Sequence, residues 1–134
     1  VTVERLTVRW RREVAEQEAA VAAGTLSDDE AYAARAWPPE FISGVDAALA
    51  VFERDVAALS DIAPDEAVWA AVEHVVLALN DIDAPPGHAI DTITREELCD
   101  HIDDVVAAAG IDVESLTARR DCAGGSLADE WRDW

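Results

Sequence analysis

Glu97 and His101 stand four residues apart where apolar residues recur at helical spacing, so both side chains fall on one helix face. Imidazole and carboxylate at that distance can chelate a divalent metal or share a proton. Cys99 and Asp100 project round the helix to other faces, so Glu73 and His74 on the preceding apolar segment would have to complete the set. Glu73, His74, Glu97 and His101 thus define one candidate chemistry, a helical metal-binding protein or enzyme built between adjacent helices. The same residues have a plainer reading. His101 lies three residues after Leu98 and four before Val105, at the edge of an apolar stripe, as expected of a half-buried histidine paired with a carboxylate. His74 adjoins the core positions Val72 and Val75 and reads as a boundary residue, and His88 reads as solvent-facing.

Other chemistry is thinly represented. From Asp81 the loop places oxygens at alternate positions, as a calcium loop does, and Asp81, Asp83 and Asp91 could hold cations weakly. Pro86, however, occupies the sixth position, where calcium loops need glycine, and Thr92 the twelfth, where they need a bidentate glutamate. Neither Cys99 nor Cys122 has a partner at metal-site spacing. Cys99 reads as a small core residue, and Cys122 has only Arg119 and Arg120 nearby to activate it. Ser43 and Ser126 lack a nucleophile elbow, and no glycine-rich phosphate loop, dinucleotide fingerprint or zinc-protease motif occurs. No catalytic residue is assigned and no cofactor is implied, which favours a binding protein over an enzyme.

Charge is the stronger signal. The 134 residues carry 29 carboxylates against ten arginines, three histidines and no lysine, a net charge of −19. Residues 1–24 are neutral, with Glu4, Glu13, Glu16 and Glu18 offsetting Arg5, Arg9, Arg11 and Arg12; residues 61–134 hold eighteen acids and only four arginines. Such a field repels nucleic acid and anionic lipid and attracts cations or basic proteins. A GC-rich bacterial genome, which disfavours lysine codons, would give a similar composition, and so would adaptation to salt. The acids are densest at Asp81, Asp83, Asp91, Glu96, Glu97, Asp100, Asp103 and Asp104. Trp131 and Trp134, flanked by Asp129, Glu130 and Asp133, have the composition of an interface anchor with a charged rim, or of a tail that staples itself to the fold.

The elements that must position these residues are helical. Val3, Leu6, Trp10, Val14 and Val21 give a first helix ending near Gly24, and Ser27 to Glu30 forms a capping box for a short second one, stopped by Pro38-Pro39. Ile42, Val45, Leu49, Phe52, Val56 and Leu59 step regularly by three and four, the spacing of a helix with a narrow seam. Pro64 opens a helix with a broad stripe from Val68 through Leu79. A loop from Asp81 to Thr92 follows, then a second capping box, Thr94 with Glu97, and a helix that Gly110 ends. Ile111 to Ala118 predicts a short helix before a Gly-linked tail, 121–134. The expected fold is one all-α domain spanning 1–134, a bundle of about four main amphipathic helices with short additions.

Half of the residues are apolar, enough for a core at this length, and no apolar run approaches the about 20 residues that span a bilayer. Two thiols without a secretion signal suggest a reduced, cytoplasmic setting. The expected function is non-enzymatic: an acidic protein that occludes a basic protein partner, most concretely an immunity protein or inhibitor of a toxin such as a nuclease. A homodimeric structural or regulatory module using the 42–59 stripe is a further alternative to the metal reading, so the state is monomer or homodimer. Nucleic-acid binding is rejected, because no basic patch exceeds Arg9, Arg11 and Arg12.

Overall fold

In the computed structural model, which describes residues 3–60, 62–84, 90–121 and 125–134, the apolar spacings become six helices, with no strand among the described residues. They are α1 (Leu6–Ala22), α2 (Ala33–Ala36), α3 (Pro39–Ala57), α4 (Asp65–Ile82), α5 (Thr92–Ala108) and α6 (Val113–Arg119). The four long helices are the expected bundle, and none of the six is long and apolar enough to cross a membrane. His88, Cys122 and the Pro85-Pro86-Gly87 turn lie outside the described residues.

Proline sets two of the boundaries. Pro39 is the first residue of α3 and Pro64 caps α4, positions where a fixed φ suits the helix start and the missing N–H is not needed. The α3 stripe is buried as its spacing demands: Ile42, Val45, Leu49, Phe52 and Val56 are each at most 4% exposed. They meet Val68, Trp69, Val72, Val76 and Leu79 of α4 and Leu98, Ile102 and Val106 of α5 in one continuous core. Burial of each such side chain contributes roughly 1.5–3 kcal/mol, so this seam dominates the stability. From Ile42 to Val56 the stripe is covered by the chain's own helices, and Leu59 at its end is half-buried.

Two predicted starts shift. The helix placed after Thr94 begins three residues earlier, because Asp91 is the N-cap and accepts the Thr94 N–H at 2.8 Å. A carboxylate offers a stronger acceptor at the positive helix end than a hydroxyl does. Thr94 is thereby drawn inside the helix, where its hydroxyl accepts the Trp37 indole N–H at 3.4 Å. The Ser27–Glu30 box forms reciprocally, Glu30 N–H to Ser27 Oγ and Ser27 N–H to Glu30 Oε1 (both 3.2 Å), but it closes a single turn, and α2 begins only at Ala33. There the Gln17 amide oxygen of α1 accepts the Ala33 N–H at 2.9 Å. Trp37 is buried through a near-parallel stack on Trp10, with ring centroids 5.4 Å apart.

Arginine fixes α1 to the rest. Arg5 donates to Glu53 at 2.6 Å and Asp46 at 3.1 Å on α3, Thr7 donates to the same Asp46 oxygen, and Arg9 pairs with Glu97 of α5. Burial opposes the charge on Asp46, yet Thr7, Arg5 and Arg11 together hold its pKa below the usual carboxylate value.

The tail folds back. Asn80 at the end of α4 donates to the Trp131 carbonyl at 2.7 Å and accepts the Asp133 N–H at 3.0 Å. Leu127 and Ala128 are fully buried, and the Arg120 guanidinium lies 4.6 Å from the Trp69 ring centroid and 5.4 Å from that of Trp131.

Candidate functional site

Helix α5 sorts its residues by face. Leu98, His101, Ile102, Val105 and Val106 turn inward, and Glu96, Asp100 and Asp104 turn to solvent. The last three recur every four residues, so a 3.6-residue period stacks them in one ridge about 12 Å long. Among the described residues none of the three has an ion-pair partner within 4 Å, whereas Arg5, Arg9, Arg11, Arg12, Arg119, Arg120 and Arg132 each meet a carboxylate. Ile93, 67% exposed, continues the ridge one turn toward the start of the helix.

The other acids singled out in the sequence hold the fold together. Glu97 is half-buried on Arg9. Asp91 caps α5, and Asp83, only 4% exposed at the end of α4, accepts the Ile90 N–H at 2.9 Å. Asp103 accepts the Leu127 N–H at 3.1 Å and the Ser126 hydroxyl at 3.3 Å. Desolvation raises the Asp103 pKa, the two tail donors oppose that rise, and the neighbouring charges of Asp100 and Asp104 add to it. Asp81 stands apart on the last turn of α4, exposed. Of the two tail tryptophans, Trp134 is 8% exposed and Trp131 half-buried against Trp69, with centroids 5.9 Å apart, so both rings serve the fold.

The metal alternative does not assemble. Glu73 and His74 are exposed on α4, and His74 Nδ1 lies 3.2 Å from Asp55 of α3. His101 is 3% exposed, with Glu53, Asp104 and Arg5 as its charged neighbours, and Glu97 is engaged by Arg9. Among the described residues no group of three or more histidine, cysteine or acidic side chains could hold a metal ion. His101 is also deeper than its sequence position suggested. Its Nε2 has no hydrogen-bond partner, and burial pushes its pKa below 6.5 despite the nearby charges of Glu53 and Asp104, with Arg5 adding to the depression. Burial likewise raises the Cys99 thiol pKa, which makes it an inert core residue.

A groove of about 400 Å³ runs along the solvent side of the α3/α4 seam, between Gly44, Ala47 and Val51 on one wall and Val75, Ala78 and Asp81 on the other. Alanine is frequent throughout the chain, so Ala47 and Ala78 gave no periodic signal; only packing shows that they face one another.

No protein family, curated protein or solved structure matches this chain.

Proposed function

We propose that this chain is a non-enzymatic acidic binding protein, acting as a monomer in the cytoplasm, that occludes a basic protein partner. Its most concrete form is an immunity protein or inhibitor of a toxin such as a nuclease, whose phosphate-binding surface must present Lys and Arg. The reading is carried by one observation: Glu96, Asp100 and Asp104 form an exposed, regularly spaced ridge with no ion-pair partner among the described residues, on a chain of net charge −19. A row of that kind steers a cationic protein to the surface and presents negative charge where its usual ligand would. Asp81, also exposed, extends the negative surface. Asp83, Asp91, Glu97 and Asp103 contribute through the framework, by holding α5 and the tail in place.

Affinity capture from the source organism's lysate, washed at low and high salt, tests this. One basic protein is expected in near-stoichiometric amount, released by salt and lost from an E96K/D100K/D104K bait. Its activity should be blocked by the wild-type chain. Recovery that ignores both salt and charge reversal would overturn the assignment.

A further inference from the structure

The α3/α4 groove carries an inference that rests on the reading above and adds the form of the partner. Gly44 faces Ile82, with only 3.4 Å between an added Cβ and the isoleucine side chain, and Asp55 faces His74, so the two helices run antiparallel. Between these contacts the seam is open to solvent. Its floor is small and apolar, with Ala47, Ala48 and Val51 opposite Val75 and Ala78. Leu77, on the outer shoulder of α4, is 46% exposed. The twelve residues from Gly44 to Asp55 span about 16 Å, the length of three helical turns.

Its rim is acidic. Asp81 lines one end, Asp55 and His74 close the other, and Glu73 is exposed beside His74. Asp46 and Glu53 are taken up by Arg5 and Asp65 by Arg119, so the carboxylates left about the groove are Asp81, Asp55 and the neighbouring Glu73, and the one arginine on either helix is Arg54. A second copy of this chain would therefore bring like charges together. Both walls are helices whose backbone groups are paired internally, so no strand can add to an edge, and the fitting mode is a helix laid into the groove.

We propose that the α3/α4 groove seats an amphipathic helix of the partner, its apolar stripe on Ala47, Val51, Val75 and Ala78 and its flanking lysines or arginines on Asp55 and Asp81.

The test uses two fluorescein-labelled Leu/Lys peptides of identical composition. In one the leucines follow i, i+3, i+4, i+7 spacing; in the other they are scrambled so that no stripe forms. Wild-type protein should bind the striped peptide at least about tenfold more tightly, with ¹⁵N amide shifts at Ala47, Val51 and Ala78. An A47E/A78E variant should lose that preference even though it gains negative charge. Ala47→Glu alone, at an exposed position, replaces the double variant if circular dichroism shows that the latter has unfolded. Equal affinity for the two peptides, or a preference that survives in A47E/A78E, overturns the groove. Salt-sensitive binding with shifts confined to Glu96, Asp100 and Asp104 would then leave the acidic reading standing. Concentration-dependent self-association covering the same groove amides also overturns the proposal, and failure of both peptides to bind at low salt removes the groove and the acidic reading together.

Discussion

Replacing Asp103 with alanine and with asparagine should give opposite results, because this side chain serves the fold through its oxygens and not through its charge. One carboxylate oxygen accepts both the Leu127 N–H (3.1 Å) and the Ser126 hydroxyl (3.3 Å), and that pair anchors the returning tail next to a fully buried Leu127. Alanine strands a part-buried backbone N–H, which costs about 1–3 kcal/mol. Removal of a desolvated carboxylate beside Asp100 and Asp104 offsets part of this, so the expected net loss is about 1–2 kcal/mol, or about 3–6 °C in Tm for a chain of this size. Asparagine keeps a carbonyl oxygen that can accept both bonds and carries no charge to desolvate. At pH 7 it should be neutral or mildly stabilising. Urea denaturation followed by tryptophan fluorescence reads both variants, since Trp69 and Trp131 report the tail directly through their 5.9 Å contact. Equal destabilisation by Asn and Ala would refute the reasoning, because it would mean that the negative charge itself holds the tail.

The remaining predictions concern charge. Because burial holds the native His101 pKa below 6.5, the unfolded chain takes up a proton that the native one refuses. Stability should therefore fall as pH drops through and below about 6.5, and His101→Gln should flatten that slope; a native imidazole titrating at or above 6.5 by NMR would contradict this. The neutralised ridge E96Q/D100N/D104N should be more stable than wild type by about 0.5–1 kcal/mol at low salt and by less at high salt, measured by the same denaturation.

Periodicity made the long helices legible. The stripe from Ile42 to Val56 and the one from Val68 to Leu79 have one solution each, and both are buried as read. Where several hydrogen-bonding residues crowd together, spacing alone did not choose. Asp91, Thr92 and Thr94 can all cap a helix, and the outcome depended on Trp37 engaging Thr94 and Arg9 engaging Glu97, contacts 57 and 88 residues distant in the chain. The tail was ambiguous for a similar reason. Two tryptophans three residues apart fit an exposed anchor or an internal staple, and the side chain that decides between them is Asn80, which pairs with both the Trp131 carbonyl and the Asp133 N–H. The depth of His101 was hidden because a position at the margin of the α5 stripe is covered once α1 and α3 both pack on that helix. Of the candidate site, the acidic density was readable but not its division between joints and solvent.

That division bears on why the chain is acidic. Codon usage, or a requirement for solubility alone, has no preference among exposed positions. In this fold Asp46 and Glu53 fix α1, Asp65 meets Arg119 at 2.6 Å, Asp91 and Asp112 cap helices, and Asp103 holds the tail. Glu96, Asp100 and Asp104 have no such task, and their four-residue spacing is unfavourable: each like-charged pair destabilises a helix by about 0.2–0.5 kcal/mol. An arginine at position 100 would convert both repulsions into attractions, yet Arg5, Arg9 and Arg119 are placed at joints between helices instead. A cationic partner would offset the repulsion, whereas general solubility would be served equally well by the same acids placed out of register. The groove points the same way on independent grounds. Where Gly44, Ala47, Ala48 and Ala78 line the seam it forgoes burial that larger side chains would have supplied, and it does so beside the carboxylates of Asp55 and Asp81. Repulsion left unrelieved on α5 and apolar surface left uncovered between α3 and α4 are both deficits of the isolated chain, and a basic partner with an amphipathic helix supplies the chemistry that each lacks.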